Sequence, residues 1–497
     1  MVGKVVAGMI MEKMFSFLGG VPLALSYDDV LLVPDYAKFN PADAETKTWL
    51  TRGIELNIPV VSAAMDTVTE ALMAIAMARM GGIGFIHRAM LLEAQIKMVE
   101  AVKRSTARII RSPKTVTMNM TAATITQLIE ELGFSSFPVL DGKRLVGIVT
   151  KRDVEAVRMN PEMQVSSFMT NSRILVTVDN SEIDGKECEM IMAKKRIEQI
   201  LIVGRNASLI GMITKKDIEK RRRYPFASRD KNDSLLVGAA VGASEEGYER
   251  ALALSEAGVD VIVIDASHGH TKSVIEAVKK IKKAKPDLQI IAGNVVTPEG
   301  VRALEKAGVD AVKIGIGPGS TCTTRQVTGA GVPQITALLE CRKIANRLKI
   351  PLIADGGIRF SGDLTKAIAA GASSIMIGGL LAGTEESPGN IIKVGEKSYK
   401  ILRGMGSRAA MENGSKDRYY SQEISAKAAV PQGVEGRVPY KGSVYAILPE
   451  MIEGLKHGMG LAGCSSVDEL RKNGRFVRIT AAGQLEGRPH DIIITQE

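Results

Sequence analysis

A cysteine in a glycine-rich loop is the first residue of this 497-residue sequence that could do covalent chemistry. The loop reads Gly315-Ile-Gly-Pro-Gly-Ser-Thr-Cys-Thr-Thr-Arg325, which places a cationic side chain close after Cys322. A nearby cation stabilises a thiolate, and a thiolate in a flexible loop can attack an electrophilic carbon. Cys188, Cys341 and Cys464 lie in helix-like patterns, which predicts that they are packed side chains.

Two pairs of adjacent glycines could bind an anion. Asp355-Gly356-Gly357 and Gly378-Gly379 each follow an apolar run, and glycine lets backbone N–H groups approach a phosphate closely. Ordinary loop glycines would give the same pattern. If both pairs follow neighbouring strands of one barrel, we expect a phosphorylated ligand there.

Two further polar side chains end apolar runs and could recognise a polar ligand. Asp265 ends one run and Asn294 ends the next, which suits hydrogen bonding to a group such as an amide. His268 and His270 follow closely. No third histidine lies at a metal-binding spacing, so we do not expect zinc.

Eight apolar runs must position these groups. Amphipathic, helix-like stretches separate the runs, which is the pattern of parallel βα units. The sequence therefore predicts an α/β fold, a closed (β/α)₈ TIM barrel, with its functional groups at the carboxyl ends of the strands. An open doubly wound sheet is the alternative, because a strand count does not establish closure. The runs are Ile58–Ser62, Gly82–Ile86, Leu236–Val241, Val259–Asp265, Leu288–Asn294, Val309–Gly315, Pro351–Asp355 and Ser373–Gly378.

An internal repeat interrupts this pattern after the second run. The segment Leu145–Asp153 (LVGIVTKRD) recurs as Leu209–Asp217 (LIGMITKKD). Two copies of one unit can bury each other's apolar faces, which predicts a paired module over 105–225 with repeats at about 105–160 and 165–225. The barrel then comprises 1–104 and 226–497, with a long turn-rich loop over about 396–442.

Composition excludes several classes of protein. Hydrophobic residues make up 45% and charged residues 24%, as in soluble globular proteins. Aromatic residues are only 4%, which argues against stacking on nucleic acid. No uninterrupted apolar run reaches membrane-spanning length, so we expect no membrane contact. The four cysteines are far apart without CxxC pairing, which favours a reducing, cytoplasmic location.

The cysteine loop, with Ala354–Arg359 (ADGGIR) and Arg403–Ser407 (RGMGS), closely resembles the inosine 5′-monophosphate (IMP) dehydrogenase family. Ser26–Pro34 (SYDDVLLVP) and Ala64–Glu70 (AMDTVTE) match its N-terminal segment. The resemblance runs from about Leu23 to the C-terminus, and the paired module resembles the tandem CBS (Bateman) domain inserted in this family. It implies that the protein oxidises IMP to xanthosine 5′-monophosphate (XMP) with NAD, as a homotetramer.

The resemblance also implies a mechanism. Cys322 would attack C2 of the purine while hydride passes to the nicotinamide, leaving a covalent thioimidate that water hydrolyses. The resemblance makes the loop over about 396–442 a mobile flap. Its Arg418 and Tyr419 match an Arg-Tyr pair that the flap carries into the vacated cofactor site, and Thr324 would orient the water. Guanidinium holds its proton tightly, so an arginine base requires that the closed flap desolvates it.

The same resemblance implies four sets of binding residues. IMP would contact Ser320, Asp355, Gly357, Gly378, Gly379, Met405, Gly406 and Gln432. NAD would contact Asp265, Ser267, Asn294 and Gly315. Potassium would bind the backbone carbonyls of Gly317, Gly319 and Cys322, joined by the Glu486-Gly487-Arg488 segment of a neighbouring subunit. An adenine or guanine nucleotide would bind the CBS pair at Thr150, Asp153, Thr214 and Asp217.

Several positions depart from the family pattern. Leu402 stands where a tyrosine often contacts the phosphate, and Thr328 replaces a common alanine. Glu486-Gly487-Arg488 differs from the usual Glu-Ser-His, and Gln432 is not a carboxylate, which disfavours a proton route from threonine to glutamate.

Two other functions fit parts of the sequence. A GMP reductase shares the barrel and the cysteine loop but reduces GMP with NADPH and needs no Arg-Tyr pair. A catalytically idle nucleotide sensor would act through the CBS pair, although the intact Cys322, Thr324 and Arg418 argue against it. From composition and spacing alone, a flavin-phosphate barrel would also fit.

Overall fold

The computed structural model describes residues 21–105, 113–178, 185–412, 418 and 430–495. Contacts divide the chain into two units. One comprises Met1–Lys103, Phe226–Ser228 and Leu235–Glu497, and the other comprises Arg104–Pro225 with Arg229–Ser234. In the described part of the chain, no helix has both the length and the apolar character needed to span a lipid bilayer.

The first unit is built around a closed barrel of eight parallel strands. Every strand pairs with its neighbours in the sequence, and β2 pairs with β3 in the same way although the second unit separates them in the chain. The predicted (β/α)₈ barrel is therefore confirmed, and the open sheet is excluded. The strands are β1 (Val60–Ser62), β2 (Ile83–Ile86), β3 (Gly238–Val241), β4 (Val261–Asp265), β5 (Gln289–Val295), β6 (Ala311–Ile314), β7 (Leu352–Asp355) and β8 (Ser374–Ile377).

Eight helices follow these strands. They are α1 (Ala71–Arg79), α2 (Leu92–Arg104), α3 (Glu245–Glu256), α4 (Lys272–Ala284), α5 (Pro298–Ala307), α6 (Gln334–Leu348), α7 (Ser361–Ala369) and α8 (Val444–Leu461). Two short helices, Thr324–Thr328 and Gly379–Ala382, lie in the loops after β6 and β8.

Local sequence sets the ends of the helices. Ser244, Thr271 and Thr297 begin α3, α4 and α5, and each side chain accepts a hydrogen bond from a backbone N–H of the first turn. Such caps satisfy donors that the helix itself leaves unpaired. Gly308 ends α5 in a left-handed conformation, which glycine adopts without the steric cost of a Cβ.

An N-terminal hairpin closes one end of the barrel. Its two short strands, Thr48–Trp49 and Glu55–Leu56, pair antiparallel. The hairpin residues Leu50, Ile54 and Leu56 join the same buried cluster as the inward-facing side chains of the barrel strands. Arg52 N donates to the carbonyl of Asp310, just before β6, so the hairpin covers the amino ends of the strands. The carboxyl ends are left for the functional groups.

A three-stranded antiparallel sheet follows β8. It contains Ile392–Val394, Lys397–Arg403 and Glu435–Pro439, with Lys397–Arg403 in the centre. This sheet forms the two arms of the loop predicted over 396–442. Of the segment between the arms, the structure describes the first residues, Arg418 and the last residues.

The rest of the first unit packs around the barrel. Val30–Leu32 pairs antiparallel with Phe476–Arg478 near the other end of the chain. The remaining short elements are the 3-10 helices Tyr27–Asp29 and Pro41–Asp43 and the helices Arg408–Ala410, Val467–Asn473 and Ala481–Glu486.

The second unit contains two similar sheets. One orders Val116–Thr117, Ser136–Asp141, Arg144–Thr150 and Thr170–Asn171, and the other orders Thr177–Val178, Gln199–Val203 and Leu209–Thr214. Its helices are Ala122–Leu132, Lys151–Ala156, Val165–Phe168, Gly185–Lys195 and Lys215–Arg223.

Side chains from the two sheets meet within the second unit. Leu145 and Ile148 of the first sheet share a buried cluster with Leu201, Val203 and Met212 of the second. The two sequence repeats therefore bury apolar surface against each other, which is the packing that makes a repeated unit stable.

Candidate active site

Two adjoining cavities open at the carboxyl ends of the barrel strands. They share Pro318, Gly319, Asp355 and Gly356 in their walls. We call one side the cysteine half, defined by Asp265, Asn294, Lys313, Cys322 and Arg418. We call the other side the glycine half, defined by Ser320, Gly356, Gly357, Gly378 and Gly379.

Cys322 lies in the loop after β6, where the sequence predicted it. Its Sγ donates to Oγ1 of Thr324 over 3.1 Å, and Thr324 is itself buried. The backbone on either side of the thiol is held by the returning arm of the flap, because Thr323 N donates to the carbonyl of Gln432 and Val434 N donates to that of Thr321. Met405, Gly406 and Gln432 line the same cavity as the thiol.

Arg325 stabilises the cysteine loop through hydrogen bonds to two backbone carbonyls. Its Nε donates to the carbonyl of Ile316 at 3.0 Å and its Nη2 to that of Val332 at 2.6 Å. Burial lowers the pKa of Arg325, while the charge of a Cys322 thiolate nearby would raise it. Gly317 has φ +83°, and a Cβ there would lie 2.5 Å from the arginine side chain, so only glycine lets the loop pass.

Lys313 is a buried cation in the floor of the cysteine half. It projects from β6, is only 1% exposed, and its Nζ lies 3.0 Å from Oδ1 of Asp265, 2.5 Å from Oδ1 of Asn294 and 2.5 Å from Oδ2 of Asp355. Asn294 Nδ2 donates to Asp355 Oδ2 and to the carbonyl of Gly315. Side chains from β4, β5, β6 and β7 therefore form one hydrogen-bonded network.

Arg418 of the flap occupies the mouth of the cysteine half. Its Nη1 forms an ion pair with Oδ2 of Asp265. Its carbonyl accepts hydrogen bonds from the backbone N–H of Ser267 at 3.0 Å and from the Ser267 hydroxyl at 2.7 Å. The structure thus places the flap arginine on the two residues that the resemblance assigned to the cofactor. Tyr419 lies outside the described residues.

Glycines from the loops after β6, β7 and β8 line the glycine half, together with side chains that include Asp28 and Arg359. Gly356 has φ +94°, and a Cβ there would lie 3.0 Å from Pro318 and 3.1 Å from the Gly319 nitrogen. A Cβ on Gly379 would lie 3.0 Å from Oγ of Ser320. The loops after β6, β7 and β8 therefore approach one another closely at the position where barrels commonly bind phosphate.

The base of the flap is clamped to the barrel. Arg403 pairs with Asp66 in the loop after β1 at 2.6 Å and with Glu435 on the returning strand at 2.5 Å. These interactions, the hydrogen bond to Glu435 most of all, raise the pKa of Arg403. The adjacent Leu402 is buried and lines the glycine half without offering a polar atom.

The chain is similar to known proteins over nearly its whole length. Residues 24–490 match the family model described as the IMP dehydrogenase / GMP reductase domain. The chain belongs to the IMP dehydrogenase/GMP reductase family. Inosine-5′-monophosphate dehydrogenase of Escherichia coli K12 is 50% identical over 95% of this chain and 97% of that protein. The enzyme of the same name from Aquifex aeolicus is 49% identical over 95% and 96%.

Solved structures show the other branch of the family. A cysteine-to-alanine variant of GMP reductase from Trypanosoma brucei, in complex with guanosine 5′-monophosphate, superposes with a TM-score of 0.87 at 39% identity, covering 95% of this chain and 99% of that one. The same enzyme with guanosine 5′-triphosphate gives 0.77 at 36% identity over 93% and 99%. This chain therefore shares its family fold over nearly its whole length.

The residues expected from the family to bind potassium are not all brought together within one chain. Gly317, Gly319 and Cys322 line the cysteine cavity, whereas Glu486, Gly487 and Arg488 are exposed and are absent from the linings of both cavities. The carbonyl of Gly319 accepts the N–H of Cys322. Carbonyl oxygens in a tight turn fit a weakly hydrated monovalent cation. The described residues contain no cluster of three or more histidine, cysteine or acidic side chains suited to a metal.

The family positions in the second unit are described in part. Thr150 caps the helix Lys151–Ala156, and its hydroxyl donates to Oδ2 of Asp153 at 2.7 Å. Thr214 ends the matching strand of the second sheet. The side chain of Asp217 lies outside the described part of the chain.

Two buried residues near the site were missed by the sequence analysis. Lys313 was read as part of an apolar strand, and its role depends on partners from three other strands. Tyr27, from the matched N-terminal segment, packs against Gly357, and within the described structure its buried hydroxyl has no hydrogen-bond partner. Burial, and then Asp363 and Asp355, raise the pKa of Tyr27, so it stays protonated. Only an alignment showing the same polar residue at these positions in related sequences could have identified Lys313 or Tyr27 as part of the site.

The departure at Thr328 has a local explanation. Its hydroxyl donates to the carbonyl of Thr324 at 2.7 Å and accepts from the N–H of Ala330. It therefore stabilises the end of the short helix that follows Cys322 and leaves the thiol in place.

Proposed function

We propose that this protein oxidises IMP to XMP with NAD through a covalent intermediate on Cys322. The observation that carries the proposal is the position of this thiol between two different surfaces. On one side lies a glycine-lined cavity of the kind that binds phosphate, and on the other side Arg418 lies on Asp265 and Ser267.

The first step adds the thiolate of Cys322 to C2 of the hypoxanthine ring, forming the C–S bond. NAD, when bound, supplies the acceptor for the hydride that leaves C2. The ring then remains attached to Cys322 as a thioimidate. In the second step water adds to C2, a base accepts its proton, and the C–S bond breaks with its electron pair returning to sulfur, which releases XMP.

Substrate binding divides between the two halves of the site. The backbone N–H groups of the glycine half, with Ser320, would hold the phosphate, and Asp355 would accept hydrogen bonds from the ribose hydroxyls. Met405, Gly406 and Gln432 would face the purine. Asp265, Ser267, Asn294 and Gly315 would face the nicotinamide portion of NAD.

Arg418 would serve in the second step, with Tyr419 and Thr324. Asp265 cannot pair with Arg418 and also bind a cofactor ribose through the same oxygen. Arg418 therefore enters when the reduced cofactor leaves, which closes the site around the water. Desolvation in the closed site would favour the neutral guanidine form of Arg418, which would then accept the proton of that water, with Thr324 orienting the water.

Potassium would be held by the carbonyls of Gly317, Gly319 and Cys322, with Glu486, Gly487 and Arg488 supplied by a neighbouring subunit of a homotetramer. A bound cation would order the cysteine loop. The second unit would be a tandem CBS domain that binds an adenine or guanine nucleotide at Thr150, Asp153, Thr214 and Asp217. Binding there would regulate the barrel.

GMP reductase is the second candidate. The solved structures that superpose on this chain favour it, since they carry that name at 36–39% identity. The identity to IMP dehydrogenases is higher, at 49–50%. A reductase also has no hydrolytic step for Arg418 to serve.

The deciding experiment follows near-UV absorbance of the full chain with potassium present. IMP with NAD is compared with GMP and NADPH. NADH formation only in the first mixture supports the proposal. Loss of NADPH only in the second would identify a reductase. Absence of both reactions would shift the assignment to a nucleotide sensor acting through the second unit.

A further inference from the structure

All three N–H donors of Lys313 bind residues of the proposed nucleotide and cofactor sites. An ammonium has three N–H donors, and its three partners are Asp265, Asn294 and Asp355. Asp265 and Asn294 are proposed to face the cofactor, and Asp355 the ribose of the nucleotide. The lysine is therefore shared between two sites that are otherwise formed by different strands.

The two carboxylates divide their oxygens in the same way. Asp265 gives Oδ1 to Lys313 and Oδ2 to Arg418. Asp355 gives Oδ2 to Lys313 and Asn294. Within the described part of the chain, Oδ1 of Asp355 has no hydrogen-bond donor, and the side chain is 19% exposed toward the cavity it lines. Each carboxylate thus holds one oxygen inward and presents the other outward.

We propose that Lys313 is a positioning residue that orients both carboxylates at once, so that the nucleotide and cofactor sites depend on a single buried cation. This inference rests on the proposed function, because it takes its two ligands from there. Lys313 lies in the floor of the cysteine half, and its three N–H donors are all taken by protein atoms. It acts by fixing which oxygen of Asp265 and Asp355 faces the cavity.

Charge explains why one residue can control two sites. Two carboxylates facing one buried space repel each other, and a cation between them offsets that repulsion. Removing one partner of a buried ionic group leaves the others uncompensated, which costs more than the interaction itself contributes. In Lys313→Met, Asp265 loses the partner of its inner oxygen and Asp355 keeps only Asn294 there, so both outer oxygens are less firmly directed.

The test uses the full chain and four proteins: wild type, Lys313→Met, Lys313→Arg and the control Lys282→Met. Lys282 forms a similar ion pair with Asp310, at 2.7 Å and largely buried, but it lies on α4, outside the walls of both cavities. Equilibrium dialysis measures IMP binding without turnover, and initial rates give the KM values for IMP and NAD. Thermal unfolding reports folding in each case.

We expect Lys313→Met to raise the dissociation constant for IMP and both KM values by about 10-fold or more, equivalent to about 1.4 kcal/mol at each site. Lys313→Arg keeps the charge in a larger group, so it should recover part of both losses. Lys282→Met should lower the unfolding temperature and leave the binding constants unchanged.

Three results would overturn the inference. The first is a Lys313→Met protein with unchanged ligand constants and only a lower unfolding temperature. The second is a loss confined to one of the two ligands. The third is Lys313→Arg binding no better than Lys313→Met, with Lys313→Arg folded. If wild type fails to form NADH, the proposed function has failed instead, and IMP dialysis still tests the nucleotide side.

Discussion

Charged side chains from neighbouring strands form a connected network in the cysteine half, whereas loop glycines in close approach distinguish the glycine half. In the cysteine half Asp265, Lys313 and Asp355 come from three strands and are joined by direct contacts. In the glycine half the nearest neighbours of Gly356 and Gly379 are Pro318, Gly319 and Ser320. The phosphate of a nucleotide is not altered by a reaction at its purine ring, so backbone N–H groups in fixed positions are sufficient to bind it. In the proposed reaction, bonds form and break at C2 of the purine, which requires side chains that change charge or move.

This comparison predicts that substitutions of the reacting groups Cys322 and Arg418 in the cysteine half affect turnover, while substitutions in the glycine half affect binding. The difference can be measured as a separation of kcat from KM.

The largest effect is expected for Cys322→Ala. Without the nucleophile no thioimidate forms, so NADH production should fall by about 10⁴-fold or more. IMP should still bind in dialysis, and mass spectrometry of the quenched protein should find no adduct. Cys341→Ala is the control, because that thiol is fully buried in α6 and should leave turnover intact. Substantial NADH production by Cys322→Ala would remove the covalent mechanism.

Arg418→Ala should separate the two steps. The first turnover still forms the adduct, so a burst of NADH is expected, followed by steady turnover about 10²–10⁴-fold slower. Rapid-mixing absorbance and mass spectrometry of the trapped adduct measure the two steps. Arg437→Ala, an exposed arginine on the returning arm of the flap, should behave as wild type. Equal loss of the burst and of steady turnover would count against a role confined to hydrolysis.

A smaller effect is expected in the glycine half for Gly379→Ala. The new methyl group would lie 3.0 Å from Ser320 Oγ and displace the groups proposed to hold the phosphate. We expect KM for IMP to rise by about 10-fold while kcat changes by less than about twofold. Gly362→Ala, in α7 with open space around it, provides the matched control. A fall in kcat with unchanged KM would contradict the division between the halves.

The smallest effect is expected at Cys341, a structural thiol that contrasts with the reactive Cys322. Burial, and then Glu340 and Glu299, raise the pKa of Cys341 to about 12. Above about pH 9 the unfolded chain ionises this thiol and the folded chain does not, so the folded state binds more protons there. Stability should therefore fall by about 1.4 kcal/mol per pH unit between about pH 9 and 12, and be unaffected by this group below that window.

Denaturant unfolding of wild type and Cys341→Ala at pH 8, 9 and 10 would measure the contribution. The two proteins should converge in stability as the pH rises. Parallel pH profiles would show that Cys341 ionises equally in both states.

The eight strands were predictable because each is a short apolar run flanked by an amphipathic helix, whereas closure of the sheet is shown by the structure. Each of the eight predicted runs overlaps a strand of the barrel, from Val60–Ser62 to Ser374–Ile377. The placement of Cys322 and the two glycine pairs followed, since the carboxyl ends of parallel strands meet at one face.

Lys313 was not predictable by the same reasoning. A lysine within an apolar run gives no periodic signal, and its three partners lie 19 to 48 residues away in sequence. The ion pair between Arg418 and Asp265 likewise depends on how a long loop folds back onto the barrel. The segment Glu486–Arg488 shows a further limit, because its expected partner belongs to another subunit.

The hairpin from Thr48 to Leu56 has a consequence for traffic through the enzyme. Because the hairpin covers the amino ends of the strands, the proposed nucleotide, dinucleotide and water would all enter and leave at the carboxyl ends. A product that has not yet left would then block the next substrate, whether or not a regulatory ligand is bound.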